Sequence, residues 1–157
     1  KVPLNLMPIA TRSDKIDLLS EKKTEELAYK FTKKLKPGDI VFLYGEMGVG
    51  KTTFVKHLIN FYQKEKKLEK TEVTSPTFNL LNQYKIDKIN INHYDLFRLK
   101  SSLETENLDL FGDRSSTITL IEWPQIIEEK PKNLIELTFK YEDEFQKRSV
   151  HIKGIDL

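Results

Sequence analysis

The stretch Gly45-Glu46-Met47-Gly48-Val49-Gly50-Lys51-Thr52-Thr53 holds the densest concentration of usable chemistry in this sequence. It satisfies G-x-x-x-x-G-K-[ST], the pattern of a backbone loop that wraps polyphosphate. Glycines at 45, 48 and 50 let the chain take positive φ and approach an anion without an intervening Cβ. Successive N–H groups then point inward as a cradle. A helix starting near Lys51 adds unsatisfied donors and the positive end of its dipole. Lys51 supplies a point charge for the β- and γ-phosphates of ATP, and the Thr52 hydroxyl is a donor oxygen for Mg²⁺. The plain alternative is a glycine turn with a surface lysine. It fails on context, because the pattern falls between a buried strand and an amphipathic helix, where the mechanism requires it.

A metal held through phosphates needs one or two carboxylates from the protein. In a parallel sheet these stand at the carboxyl ends of strands. Glu122 closes the apolar run Ile118 to Ile121, and Asp95 closes Ile89 to Tyr94. Glu122 ends the more apolar strand and ranks first as ligand. Asp95 is either a second ligand through water or the group that orients an attacking water. Thr74-Ser75-Pro76-Thr77 is a polar turn whose hydroxyls, Thr77 in particular, could reach a γ-phosphate as switch segments do. His93 reads either as catalytic or as a satisfied histidine on a strand, and Trp123 as core edge or binding surface. Arg98 and Arg114 are the arginines available to stabilise charge, Arg114 reading more simply as surface.

These groups need elements to position them. Leu27, Ala28, Phe31 and Leu35 form one apolar face, which predicts a helix within Leu18 to Lys36, stopped by Pro37-Gly38-Asp39. Ile40 to Tyr44 is an unbroken apolar run, the signature of a strand buried on both faces. Phe54, Val55, Leu58, Ile59 and Tyr62 predict a helix from Lys51 to about Gln63. Phe78 to Ile86 and Ile89 to Asp95 read as strands joined at Asp87-Lys88, and Ser101 to Leu110 as a short helix. Thr117 to Ile121 is another strand, Pro124 opens a short helical stretch, and Asn133 to Tyr141 pairs with Ser149 to Lys153. The expectation is a single α/β domain over residues 1–157, with a mixed sheet between helices in three layers.

Composition narrows the function classes. Lys and Arg number 26 against 24 Asp and Glu, a net charge of +2, without the basic excess of a dedicated nucleic-acid binder. The basic stretch Lys64 to Lys70 also carries Glu65 and Glu69 and reads as a solvated helix end. Cysteine is absent, which removes disulfides and thiolate metal sites and fits a reducing compartment. Lys1 to Ala10 does not have the form of a signal peptide, and no run of about eighteen apolar residues occurs. A cytoplasmic protein without a membrane partner is expected.

Taken together, Gly45 to Phe54, Thr74-Ser75-Pro76-Thr77-Phe78, His93-Tyr94-Asp95-Leu96-Phe97-Arg98-Leu99 and Leu120-Ile121-Glu122-Trp123-Pro124 closely resemble the motifs of the bacterial TsaE family, formerly YjeE, in order and in spacing. The resemblance covers about residues 18 to 153. It implies a small P-loop ATPase needed to make threonylcarbamoyladenosine beside the anticodon of tRNA, acting with the partner proteins TsaB and TsaD and meeting tRNA only indirectly. By the same resemblance the nucleotide site is Gly45 to Thr53, the metal ligands are Thr52 and Glu122, Asp95 is the second acidic position, and Thr77 the switch-like threonine. Ser20 to Thr24 is similar to the region near the nucleotide base, which brings in Ser20 and Thr24. Two other enzyme classes share a P-loop. A small-molecule kinase needs a lid of arginines, whereas only Arg148 follows Trp123. A GTPase needs Asn-Lys-x-Asp downstream of the loop, whereas Asp14-Lys15-Ile16-Asp17 begins wrongly and lies upstream. A nucleotide-dependent scaffold with incidental turnover is the non-enzyme alternative.

Overall fold

A computed structural model of the chain describes residues 13–144 and 147–157; the reading of Lys1 to Ala10 lies outside them. A seven-stranded sheet runs in the order β1-β7-β6-β2-β5-β4-β3. Its strands are β1 (Ser13–Asp17), β2 (Ile40–Tyr44), β3 (Leu81–Ile86), β4 (Ile89–Asp95), β5 (Thr117–Glu122), β6 (Ile135–Glu142) and β7 (Lys147–Lys153). The central strands β6, β2, β5 and β4 are mutually parallel, and β3, β7 and β1 join antiparallel towards the edges. This is the mixed sheet the sequence predicts. Burial explains the centre, since Ile40 to Leu43 and Ile118 to Glu122 are buried without a break, as strands covered on both faces must be.

Alternation along these strands sorts their side chains. Val41, Leu43, Ile91, Ile118, Leu120, Leu137 and Phe139 face one side and pack under α1 (Glu21–Thr32) and α2 (Lys51–Glu65). Each helix contributes an apolar stripe: Leu27, Ala28 and Phe31 from α1, and Phe54, Val55, Leu58 and Ile59 from α2, all buried. Phe31 meets Phe54 edge-on at 5.2 Å, and Phe54 continues to Phe139 at 6.0 Å, so helix, helix and sheet share one aromatic seam. The opposite face, with Ile40, Phe42, Tyr94 and Ile121, is covered by Leu96, Leu110, Phe111 and Ile127. That third layer is thin. Its helix, α3 (Ser102–Glu106), buries none of its own side chains and is held by a capping box between Ser101 and Glu104.

Differences from expectation are local. β3 begins at Leu81 rather than Phe78, because the chain turns at Pro76 to Leu80; Leu80 N–H reaches Pro76 O at 2.7 Å and Leu80 takes positive φ. α1 is shorter than the apolar pattern, starting after the Ser20 cap and ending at Thr32. β1 was not legible at all. It has one apolar residue, Ile16, among charges, as suits an edge strand. No helix among the described residues is long and apolar enough to cross a membrane.

Candidate functional site

The loop after β2 is built on glycine conformations and one apolar anchor. Gly45 and Gly50 have φ of 145° and 117°, values that side-chain-bearing residues rarely adopt. Val49 turns inward and is 1% exposed, which fastens the loop to the core, while Glu46 and Met47 stay exposed. Gly50 caps α2 without a side-chain bond, so the first N–H groups of that helix remain open to a ligand.

Lys51 is 3% exposed. Its ammonium donates to the Gly45 carbonyl and sits 3.8 Å from the centre of the Trp123 ring, a cation–π arrangement. Burial holds its pKa below the ordinary lysine value, against the opposing pull of the Glu122 and Asp95 carboxylates. Trp123 takes a left-handed backbone conformation at the end of β5 and also packs against Phe97 at 4.9 Å. It therefore borders the site rather than merely filling a core edge.

Strand register brings the acids together. Asp95 is paired with Glu122 across β4 and β5, and Leu43 with Glu122 across β2 and β5, neighbouring strands lying about 4.8 Å apart. Both carboxylates face the α2 side and are buried. Thr52 donates to Glu122 at 3.2 Å to Oε2 and 3.3 Å to Oε1. His93 Nε2 lies 2.6 Å from Glu122 Oε2. Asp95 is tied to the polar turn: Ser75 Oγ and Thr77 Oγ1 both donate to its Oδ2, the latter at 3.1 Å, and Phe97 N–H donates to Oδ1 at 3.0 Å.

Apart from the fully buried His93, these groups line one groove of about 190 Å³. Met47, Gly48 and Gly50 to Thr53 form one wall, Ser75 and Thr77 another, and Asp95, Glu122, Phe97 and Trp123 the floor and rim. Gly45 and Glu46 instead border a larger, more open hollow of about 750 Å³ with Tyr44, Glu136 and Lys130, away from the converging hydroxyls and carboxylates. The groove is the better candidate despite its smaller size, because size carries no chemistry. Ser20 and Thr24 line neither. Ser20 caps α1 by accepting from Lys23 N–H at 3.4 Å, and Thr24 is buried. Arg98 donates to the Phe78 carbonyl at 3.4 Å, and Arg114 lies over Phe111; neither reaches the groove. The roles of Ser75 and His93 were hidden in the sequence. The one usable signal was the H-x-D spacing, which puts His93 and Asp95 on the same strand face.

The residues suit Mg²⁺ and a polyphosphate: hard oxygen donors from Thr52, Glu122 and Asp95 stand beside an amide cradle and a lysine. Strand, glycine loop, helix and paired strand-end acids define a protein of the P-loop α/β class. A solved structure, YdiB of Bacillus subtilis, shares the fold with a TM-score of 0.68 over 92% of this chain and 87% of that one, at 22% identity. The chain matches the family profile "Threonylcarbamoyl adenosine biosynthesis protein TsaE" over residues 18–150. It is 44% identical to the tRNA threonylcarbamoyladenosine biosynthesis protein TsaE of Rickettsia bellii over 81% of this chain and 86% of that relative. With the protein of the same name from Aquifex aeolicus it shares 35% over 86% and 92%. The chain belongs to the TsaE family of tRNA threonylcarbamoyladenosine biosynthesis.

Proposed function

We propose that this protein is a Mg²⁺-dependent ATPase of the cytoplasm that serves threonylcarbamoyladenosine modification of tRNA beside the anticodon, working with TsaB and TsaD. The observation that carries the reading is the convergence of Lys51, Thr52 and Glu122 at the mouth of the glycine loop, with Thr52 already bonded to Glu122. Main-chain amides of Gly48 to Thr53 hold the phosphates. Lys51 leaves the Gly45 carbonyl and the Trp123 ring to pair with the β- and γ-phosphates, a move that exchanges a partly desolvated cation for an ion pair. Thr52 and Glu122 would hold a bound Mg²⁺, whose charge would neutralise the phosphate oxygens. Asp95 would be a second ligand through water or would orient the attacking water, and Ser75 and Thr77, which bond its carboxylate, would hold it for that task.

No arginine lines the groove among the described residues, so charge developing on the transferred phosphoryl lacks its usual stabiliser. Slow hydrolysis by the isolated protein, accelerated by the partner complex, is the expected outcome. Turnover of ATP measured with and without TsaB and TsaD checks it, and turnover unchanged by the partners counts against it. Reconstituted tRNA modification with this protein left in or out tests the biological assignment.

A further inference from the structure

A buried carboxylate is costly unless donors surround it. Glu122 is 2% exposed, and its donors differ in quality. Thr52 bonds loosely, at 3.2 and 3.3 Å, and shares itself between the two oxygens. His93 bonds at 2.6 Å to Oε2 alone. His93 is itself fully buried, and its Nδ1 is sealed from solvent with no partner among the described residues. A proton on Nδ1 would be buried without an acceptor. The proton that bonds Glu122 therefore belongs on Nε2.

The rest follows from strand geometry. His93 and Glu122 lie on adjacent parallel strands, with His93 one alternation back from Asp95 on the face beneath α2. The imidazole is fully buried and does not line the groove, whereas Glu122 does. Oε2 is held by the short His93 contact, whereas Oε1 has only the long Thr52 contact. We propose that His93 is a positioning residue of the metal site: its Nε2–H fixes the Glu122 carboxylate so that one oxygen, together with the Thr52 hydroxyl, is presented to the divalent cation of a bound nucleotide. This rests on the metal reading of the groove given above. Hydrogen-bond partners of this kind typically change metal affinity about 10–100-fold when removed.

The test compares ADP affinity in excess Mg²⁺ and in EDTA, by calorimetry, for the natural protein, His93→Leu and His93→Gln. The glutamine amide can donate from nearly the position of Nε2. Mn²⁺ bound in the presence of ADP, counted by electron paramagnetic resonance, gives a second readout free of turnover. In His93→Leu the gain from Mg²⁺ and the affinity for Mn²⁺ fall about 10–100-fold, ADP affinity in EDTA stays within about threefold, and His93→Gln recovers most of the loss. A folded His93→Leu with the natural Mg²⁺ gain, or a His93→Gln as impaired as the leucine variant, overturns the proposal. Should His93→Leu fail to fold, ¹⁵N NMR of the natural protein decides: a proton on Nε2, with a resonance that moves when Mg²⁺ joins bound ADP, supports it, and a proton on Nδ1 or an unmoved resonance overturns it. If natural protein shows no Mg²⁺ effect on ADP at all, the metal reading itself fails, an outcome distinct from the loss of His93's role alone.

Discussion

Lys51 works against the fold that holds it. An ammonium at 3% exposure with a carbonyl and an indole as neighbours has exchanged water for partners that replace hydration incompletely. A lysine whose pKa burial lowers costs the folded chain stability at neutral pH, a cost an apolar side chain of similar length does not carry. Lys51→Met is therefore expected to raise the stability of the nucleotide-free protein, read as a higher unfolding midpoint at about 2–4 °C per kcal/mol gained, while ATP binding measured by calorimetry falls about 100-fold. The sign with pH follows from the lowered pKa. Between that value and the ordinary 10.5 the unfolded chain holds the extra proton, so natural protein gains stability as pH rises through the window. The advantage of Lys51→Met should shrink towards pH 10.5, which melting curves at a series of alkaline pH values will read. Glu122→Ala should separate from Lys51→Met: it leaves most ADP affinity in EDTA and loses the Mg²⁺-dependent part by about 10–100-fold.

The loop–helix junction makes its own demands at the scale of the element. A Cβ on Gly45 would meet the Phe139 carbonyl oxygen and Val49 Cγ1, both at 2.8 Å, whereas a Cβ on Gly50 would find nothing closer than Arg148 Nη1 at 3.9 Å. Backbone cannot retreat as a flexible side-chain tip can. Gly45→Ala should therefore cost more than about 3 kcal/mol in urea denaturation, and Gly50→Ala only the conformational strain of about 1–2 kcal/mol. Equal losses would show that the β6 contact does not limit the loop. The loop was legible because glycine spacing and the flanking periodicities are local signals. The β3 start was misplaced by a local signal as well, since Phe78 continues the apolar pattern yet stands 84% exposed beyond the turn. β1 left no trace because an edge strand of charged residues is stabilised by its partner β7 rather than by its own pattern.

At the scale of the molecule, nucleotide binding and stability are linked. A ligand that binds only the folded chain adds about 2.7 kcal/mol at a hundred times its dissociation constant. For a chain of 157 residues this is a midpoint rise on the order of 5–10 °C. ATP with Mg²⁺ should produce that rise in natural protein and almost none in Lys51→Met, a comparison that thermal denaturation makes directly. The larger hollow beside Tyr44 and Glu136 offers a contrast. Burial and the 2.9 Å bond to Glu136 raise the Tyr44 pKa, but Lys51, Thr52 and the two buried acids line the other groove, so Tyr44→Phe should leave the nucleotide-dependent rise within about 1 °C.

The sequence by itself determined the glycine loop, the helix behind it, the buried strand before it and the strand-end positions of Asp95 and Glu122. Each is written in contiguous residues, through backbone freedom, apolar period and the chemistry of single side chains. Only the tertiary structure decided that Asp95 lies opposite Glu122 in register, that Ser75 and Thr77 hold the first acid, and that His93 holds the second. Those facts depend on strand order and on crossovers between distant segments. Alternation along one strand tells which face a side chain takes, but the neighbour it meets there is chosen by the rest of the fold.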